Sequence, residues 1–345
     1  MFEVLTAHGT DAARWLGFFD RLPRELRDVH YTPAYARVQE RLGHKALCAV
    51  YTAPDDMFVM QPFLLRKVPG GTYHDMTSLY GYGGPLSNIV GWSAGALMEW
   101  MEKDFSAWRE ANGVIAEFCV LHPLAEKPQG RLLTHIAQPV KVKDVVLINC
   151  DQTAEAITKD MRTDRRQNLG HAAGMMRIEK CNPWDFYKLY KQTMDRKGAA
   201  LRWRMPQAYF ADHQLELVPD HAAMIAVSNG IMQSASIILL GGRTSYYHFT
   251  GNADDIKRGA NEYLIQWAAQ LAGAAGSQWL HLGGGVTSDP ADKLFAFKAS
   301  LSPHRATVST YRRVFNQDVY DRLSREAGVP EDEPFFPAYR AKEAA

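Results

Sequence analysis

Residues 222–252, AAMIAVSNGIMQSASIILLGGRTSYYHFTGN, constrain the fold more than any other stretch. They form three runs rich in β-branched and aromatic residues, cut by Asn229-Gly230 and by Gly241-Gly242. That pattern predicts three successive antiparallel strands with glycine turns. A helical run, IKRGANEYLIQWAAQLAGAAG, follows, then a strand-like SQWLHLGGG. Three strands, a helix and a further strand in that order predict a mixed, mostly antiparallel sheet flanked by helices, an α/β (α+β) class.

The first half of the chain uses the same grammar. KALCAVYTA and MFVMQPFLLRKV straddle an acidic PDD turn and read as a hairpin. SAGALMEWMEKDFSAWREANG has helical periodicity, opens near a serine and closes on Asn-Gly. VIAEFCVLHPL and VKVKDVVLINC read as strands. In the second half, TAEAITKDMRTDRRQNLGHAAG predicts one long helix capped by Thr153 and ended by Gly174. PWDFYKLYKQTMDRKG predicts another helix, DPADKLFAFKASLS a short one led by Asp-Pro, and RATVSTYRRVF a last strand. Two tandem units result, 1–150 and 151–315, with the segment from about 316 to 345 able to pack back on the first. The tail EDEPFFPAYRAKEAA reads as a loosely held terminus.

Composition narrows the function classes. The 345 residues carry 39 basic and 38 acidic side chains, a net charge of +1, which argues against a general nucleic-acid coat. Cys48, Cys119, Cys150 and Cys181 are widely spaced and predict free thiols in a reducing compartment. No signal-like leader or membrane-length apolar run stands out, so a cytoplasmic location is expected. His221, His248, His281 and His304 stand alone, and no metal spacing, G-x-S-x-G elbow or Walker A loop is present. No cofactor is expected.

Several stretches could carry chemistry. QNLGHA, 167–172, fits an acyl-CoA loop, Q-x-x-G-x-A, but lies within a predicted helix. ADDIKRGA, at the place where such a loop belongs, lacks the pattern. SLYGYGGPL sets Tyr80 and Tyr82 beside Gly83 and Gly84 at a strand end, where glycines admit a ligand to the backbone and tyrosines offer flat faces with polar tips. Tyr246 and Tyr247 in SYYHFTGN, with Gly283 and Gly284 in HLGGG, mark two further strand ends that would flank a cleft in a splayed sheet. In LRWRMP, Arg202 and Arg204 alternate around Trp203 on what reads as a short extended piece, a pattern that suits a phosphate or carboxylate clamp or a solvated surface. In LFAFKASLSP, Lys298 lies at helical spacing between Leu294 and Leu301, on the face of Phe297. Its ammonium either snorkels to water or is held over a cleft.

Together these motifs resemble the Fem family of peptidyltransferases, within the wider GNAT-like superfamily. SLYGYGGPL is similar to that family's Y-G-Y-G-G-P strand end, and RRQNLGHAAG to its R-x-N-I-x-x-A helix, with Arg166, Asn168, Leu169 and Ala172 in register. YYHFTGN, WLHLGGG and FAFKASLSP follow in the family's order. The resemblance implies two tandem GNAT-like domains with a substrate cleft. It implies an aminoacyl-tRNA donor whose amino acid passes to an amine, on a peptidoglycan precursor or on another peptide or natural-product amine. It carries the family's Phe-Lys pair onto Phe297 and Lys298, the lysine beside the reacting ester as a fixed cation. Gln39 stands where the family's phosphate-binding lysine is usual, and no coiled-coil arm is inserted. The competing expectations are a GNAT-type N-acyltransferase with an acyl-CoA or carrier-bound donor, and a binding protein whose transferase site has decayed.

Overall fold

The computed structural model describes residues 1–344 apart from 70, 90, 92, 219, 220 and 290. The chain divides into two compact units, one of Met1–Val142 with Val308–Ala345 and one of Lys143–Thr307. Each unit is a mixed sheet flanked by helices.

In chain order the first unit opens with β1 (Phe2–Thr6), α1 (Gly9–Asp20), α2 (Pro33–Glu40), β2 (Lys45–Thr52) and β3 (Phe58–Lys67). It continues through β4 (His74–Thr77), β5 (Leu86–Ser87), α3 (Ser93–Ala111), β6 (Val114–Val120) and α4 (Glu126–Leu133). β2 and β3 form the hairpin expected from the sequence, from Lys45↔Leu65 to Thr52↔Phe58. Asp55 and Asp56 supply its left-handed turn, at φ 61° and 56°. Leu97, Met101 and Phe105, at helical spacing on α3, bury against Leu47, Phe63 and Met76 of the sheet.

The second unit takes β7 (Val140–Asn149) from Lys143 onward, then α5 (Ala154–Asp160), α6 (Thr163–Ala173), β8 (Arg177–Lys180), α7 (Pro183–Arg196) and α8 (Gln207–Leu217). β9 (Ala222–Ser228), β10 (Met232–Leu239) and β11 (Thr244–Asn252) are the three antiparallel strands of the opening stretch. α9 (Ala260–Ala274), β12 (Trp279–Gly283) and α10 (Lys293–Ala299) complete it. β13 (His304–Val314) returns the chain to the first unit at Val308, and α11 (Gln317–Glu326) follows.

The strand order is β1-β2-β3-β4-β6-β13 in the first unit and β7-β12-β11-β10-β9-β8 in the second. One pair in each is parallel, β4 with β6 and β11 with β12. Among the described residues no helix is long and apolar enough to cross a membrane, and the longest helix, α3, has 19 residues.

The structure corrects three local expectations. The run 153–174 is two helices, because Met161 is extended at ψ 147° and turns its side chain into the core. The carbonyl of Met161 accepts from Arg166 Nη1 at 2.7 Å, and the Arg162 amide donates to Ser300 O at 2.9 Å. A side chain five residues on and a distant carbonyl thus satisfy the groups that a continuous helix would have paired. The short helix α10 is capped by Asp292, which accepts from the amides of Leu294 (2.9 Å) and Phe295 (3.0 Å). The Pro290 of the expected Asp-Pro start lies outside the described residues. Leu294 is 41% exposed, so Lys298 does not sit on a fully apolar face.

The tail is not loosely held. Tyr339 and Arg340 are buried, and both donate to Asp75 Oδ2, at 3.0 and 2.6 Å. Arg66 takes the other oxygen at 2.7 Å. Asp75 is completely buried, and its charge requires these partners.

Candidate active site

β11 and β12 pair in parallel through Thr244↔Trp279, Ser245↔Leu280 and Tyr246↔His281, and the pairing stops there. β11 runs on to Asn252, whereas β12 ends at Gly283. The two strands therefore cease to pair beyond Tyr246 and His281, which marks a break in their ladder. Register shifts flank it. The β10–β11 ladder skips His248, and the β12–β7 ladder shifts between His281 and Gly283. Bulges of this kind bend a strand and re-aim its side chains. His281 Nδ1 accepts from the Gly283 amide at 3.0 Å, which puts the ring proton on Nε2. Tyr246 lies 5.3 Å from the His281 ring, while Tyr247 packs into the core, where burial pushes its hydroxyl up.

Lys298 sits at this end of β12. Its Nζ donates to Gly284 O at 2.8 Å. Gly283 holds φ +79°, and a Cβ there would lie 3.1 Å from Lys298 Nζ. The next two glycines are tight for other reasons: a Cβ at Gly284 would meet Asp144 O at 2.8 Å, and one at Gly285 would meet Asp292 Cγ at 2.5 Å. The glycine run thus lets β7, the Asp292 cap and the lysine converge on one turn. Burial first, then the Lys143 ammonium, pushes Lys298 down to about 8, with Asp292 opposing. Phe297 packs against the core and faces Arg165, whose guanidinium lies 5.3 Å from the ring centroid. Lys143 was not apparent as a site residue in the sequence, where VKVKDVVLINC shows only an alternating strand.

The other expected residues fall in different surroundings. In the first unit, residues 78–85 form an irregular turn after β4, bridged at Gly83↔Leu121. Tyr31 Oη and Gln129 Nε2 both donate to Gly83 O, at 2.6 and 2.7 Å, and Tyr35 Oη donates to Tyr80 O at 2.6 Å. A Cβ at Gly84 would lie 2.6 Å from Leu121 Cδ2. Tyr82 is buried between His30 and His122, which flank Asp28 at 2.7 and 3.2 Å. Burial alone would raise the Asp28 carboxyl, but the two imidazoles hold it well below the usual carboxylate range. Gln39, on α2, is fully buried.

In the second unit, Leu201–Trp203 is a 3-10 turn rather than an extended piece. Arg204 is held by Asp195 and by Ala199 O at 2.9 Å, Trp203 O accepts from Tyr190 Oη, and Arg202 lies 5.6 Å over the Trp203 ring. Local bonding to α7 and the turn takes up the Arg204 guanidinium that a free clamp would need.

The start of α9 is where the amides of a helix could cradle a nucleotide pyrophosphate. Here α6 occupies that place. Gly259 holds φ +85°, and a Cβ on it would lie 2.0 Å from Asn168 O. Asn168 Nδ2 and Arg165 Nη1 both donate to Glu262 Oε1 at 3.0 Å, and Arg258 Nε donates to Asn168 Oδ1 at 2.6 Å. A buried carboxylate in the first turn of α9, closed over by α6, does not fit an acyl-CoA pyrophosphate.

Two mixed sheets of this order, each with one parallel pair, define a tandem GNAT-like fold. Comparison with solved structures sets it beside FemX, with a TM-score of 0.72 at 14% identity over 93% of this chain and 99% of that one. L-PGS from Bacillus licheniformis is similar at TM-score 0.53 and 11% identity, covering 90% of this chain and 93% of that one. The C-terminal domain of a putative lysylphosphatidylglycerol synthetase from Agrobacterium fabrum is similar at TM-score 0.52 and 12% identity, covering 92% and 96%. No protein-family model matches the sequence, and no curated protein matches it. The chain shares the fold of FemX.

Proposed function

We propose that the protein is an acyltransferase of the aminoacyl type, which moves an amino acid from aminoacyl-tRNA to an amine and forms an amide. The observation that carries this reading is Lys298, an ammonium bonded to Gly284 O at 2.8 Å beside the point where β11 and β12 cease to pair. Among the described residues one of its three N–H groups is used, in that bond, and the other two are available to a substrate. The fold shared with FemX supports the same class.

In the transfer, the amine nitrogen bonds to the ester carbonyl carbon and the bond from that carbon to the tRNA 3′ oxygen breaks. The amine loses a proton, and the departing 3′ oxygen gains one, by way of water. Lys298 would stabilise the negative charge that builds on oxygen between these events, a preorganised electrostatic role. Phe297 would hold the lysine stem against the core. Peptidoglycan precursors, other peptides and natural-product amines are the acceptor classes to test. A cytoplasmic site of action belongs to this reading, since charged tRNA is found there.

An acyl-CoA donor is disfavoured by the α6 closure over α9 and by the buried Glu262. The deciding experiment incubates the protein with charged total tRNA and, separately, with acetyl-CoA, and follows loss of each donor in the presence of candidate amines. Amine-dependent deacylation of tRNA is expected. Consumption of acetyl-CoA alone would replace this reading with the N-acetyltransferase one, and loss of neither donor would favour a binding protein. In the first case Lys298→Ala should lower turnover by about 100-fold or more while the thermal midpoint stays unchanged. Wild-type turnover in that variant would remove the role given to the lysine.

A further inference from the structure

Among the described residues the two ammonium groups at the glycine turn form no ion pair, although the Asp292 carboxylate acts on both from farther off. Lys298 Nζ bonds to Gly284 O at 2.8 Å, and Lys143 Nζ reaches the adjacent carbonyl, Gly285 O, at 3.5 Å. The Lys143 stem lies along the bare face of Gly284, where a Cβ would stand 3.5 Å from its Cδ. Among the described residues neither lysine has a carboxylate within ion-pair distance. The nearby acids are committed elsewhere. Asp292 accepts from the amides of Thr287, Leu294 and Phe295, and Asp144 accepts from Thr307 Oγ1 at 2.8 Å. Burial pushes both ammonium groups down, the Lys143 charge pushes Lys298 down further, and the Asp292 carboxylate opposes the shift at both without pairing with either. Two like charges fixed on adjacent carbonyls of one turn cost free energy that an anion between them would offset.

We propose that Lys143 and Lys298 together seat a phosphate ester of the substrate, with Lys143 as the binding residue that the sequence motifs do not mark. The inference deepens the reading of the Lys298 surroundings as the transfer site and rests on it. Phosphate esters fit because their oxygens can accept from two ammonium groups at once, and among the described residues both groups keep unused donors. Two sources share this chemistry, the terminal phosphodiester of a tRNA and the diphosphate of a nucleotide-linked acceptor.

The test is calorimetric titration of the full chain at low salt with three probes. These are the cytidylyl-adenosine dinucleotide, uridine diphosphate, and an equimolar mixture of uncharged cytidine and adenosine. One phosphate probe should bind and the nucleosides should not; whichever binds names the source. Lys143→Ala should weaken that binding by about tenfold or more, and Lys143→Arg should retain it. As a second readout, 13C-dimethylated Lys298 followed by NMR should titrate at higher pH in Lys143→Ala, and also when the phosphate probe is added. Absence of binding by both phosphate probes, or unchanged binding in Lys143→Ala, overturns the seat. Aminoacyl transfer measured on the same preparations separates the two ideas. Transfer without phosphate binding rejects only the seat, and phosphate binding through Lys143 without transfer rejects only the assigned reaction.

Discussion

An ammonium next to another ammonium titrates early, and at Lys298 this has a readable consequence. Its pKa is pushed down to about 8 by burial and by Lys143, from an ordinary value of 10.5. The charge is therefore complete well below pH 8 and fades as pH rises through that value. If the charged form stabilises the transition state, turnover should fall on an alkaline limb centred near 8. Lys143→Ala removes the repulsion, so the limb should move to higher pH, which a pH–rate profile of the two proteins would check. A limb that stays in place would mean that Lys143 does not act on Lys298. At this scale Lys298 and the glycines were legible, because residue type and order suffice to mark them. Lys143 was not. It is one of two lysines alternating with valine, and only the β7–β12 register carries it to Gly284 and Gly285.

Among the secondary-structure elements, the closest fit is between α6 and α9. Gly259 leads into α9 at φ +85°, with Asn168 O in the space a Cβ would need. Gly259→Ala should cost about 2–4 kcal/mol, from left-handed backbone strain and from displacement of α6. Urea unfolding would measure it, and a loss below about 1 kcal/mol would show that the two helices can separate cheaply. The same junction explains why a helix motif was easy to find and its use was not. RRQNLGHAAG was recognisable as a string, yet its residues serve packing: Arg166 closes the end of α5 through Met161 O, and Asn168 braces Glu262 and Arg258. The break between α5 and α6 was invisible to periodicity, since the apolar spacing continues across Met161 while the backbone does not.

For the whole molecule, the first unit is discontinuous, because residues from Val308 onward rejoin those before Lys143. Asp75 is the anchor of that return, fully buried and bonded to Arg66, Tyr339 and Arg340. Arg340→Ala leaves the carboxylate short of a charge partner and should destabilise the protein by about 3–5 kcal/mol. Thermal or urea unfolding would show it, and a change under about 1 kcal/mol would mean that Arg66 alone satisfies Asp75. By itself the sequence determined the elements and the class of fold, because alternation, helical spacing and glycine turns are local and each fixes its own stretch of backbone. It also marked the lysine and the glycine turn that hold the candidate site. Only the tertiary structure decided where β11 and β12 cease to pair, that Lys143 joins Lys298, that α6 closes over α9, and that the acidic tail is pinned to Asp75. Each of these depends on partners far apart in the chain, and such pairs are chosen by burial and by the need to satisfy buried charge, which leave no local pattern to read.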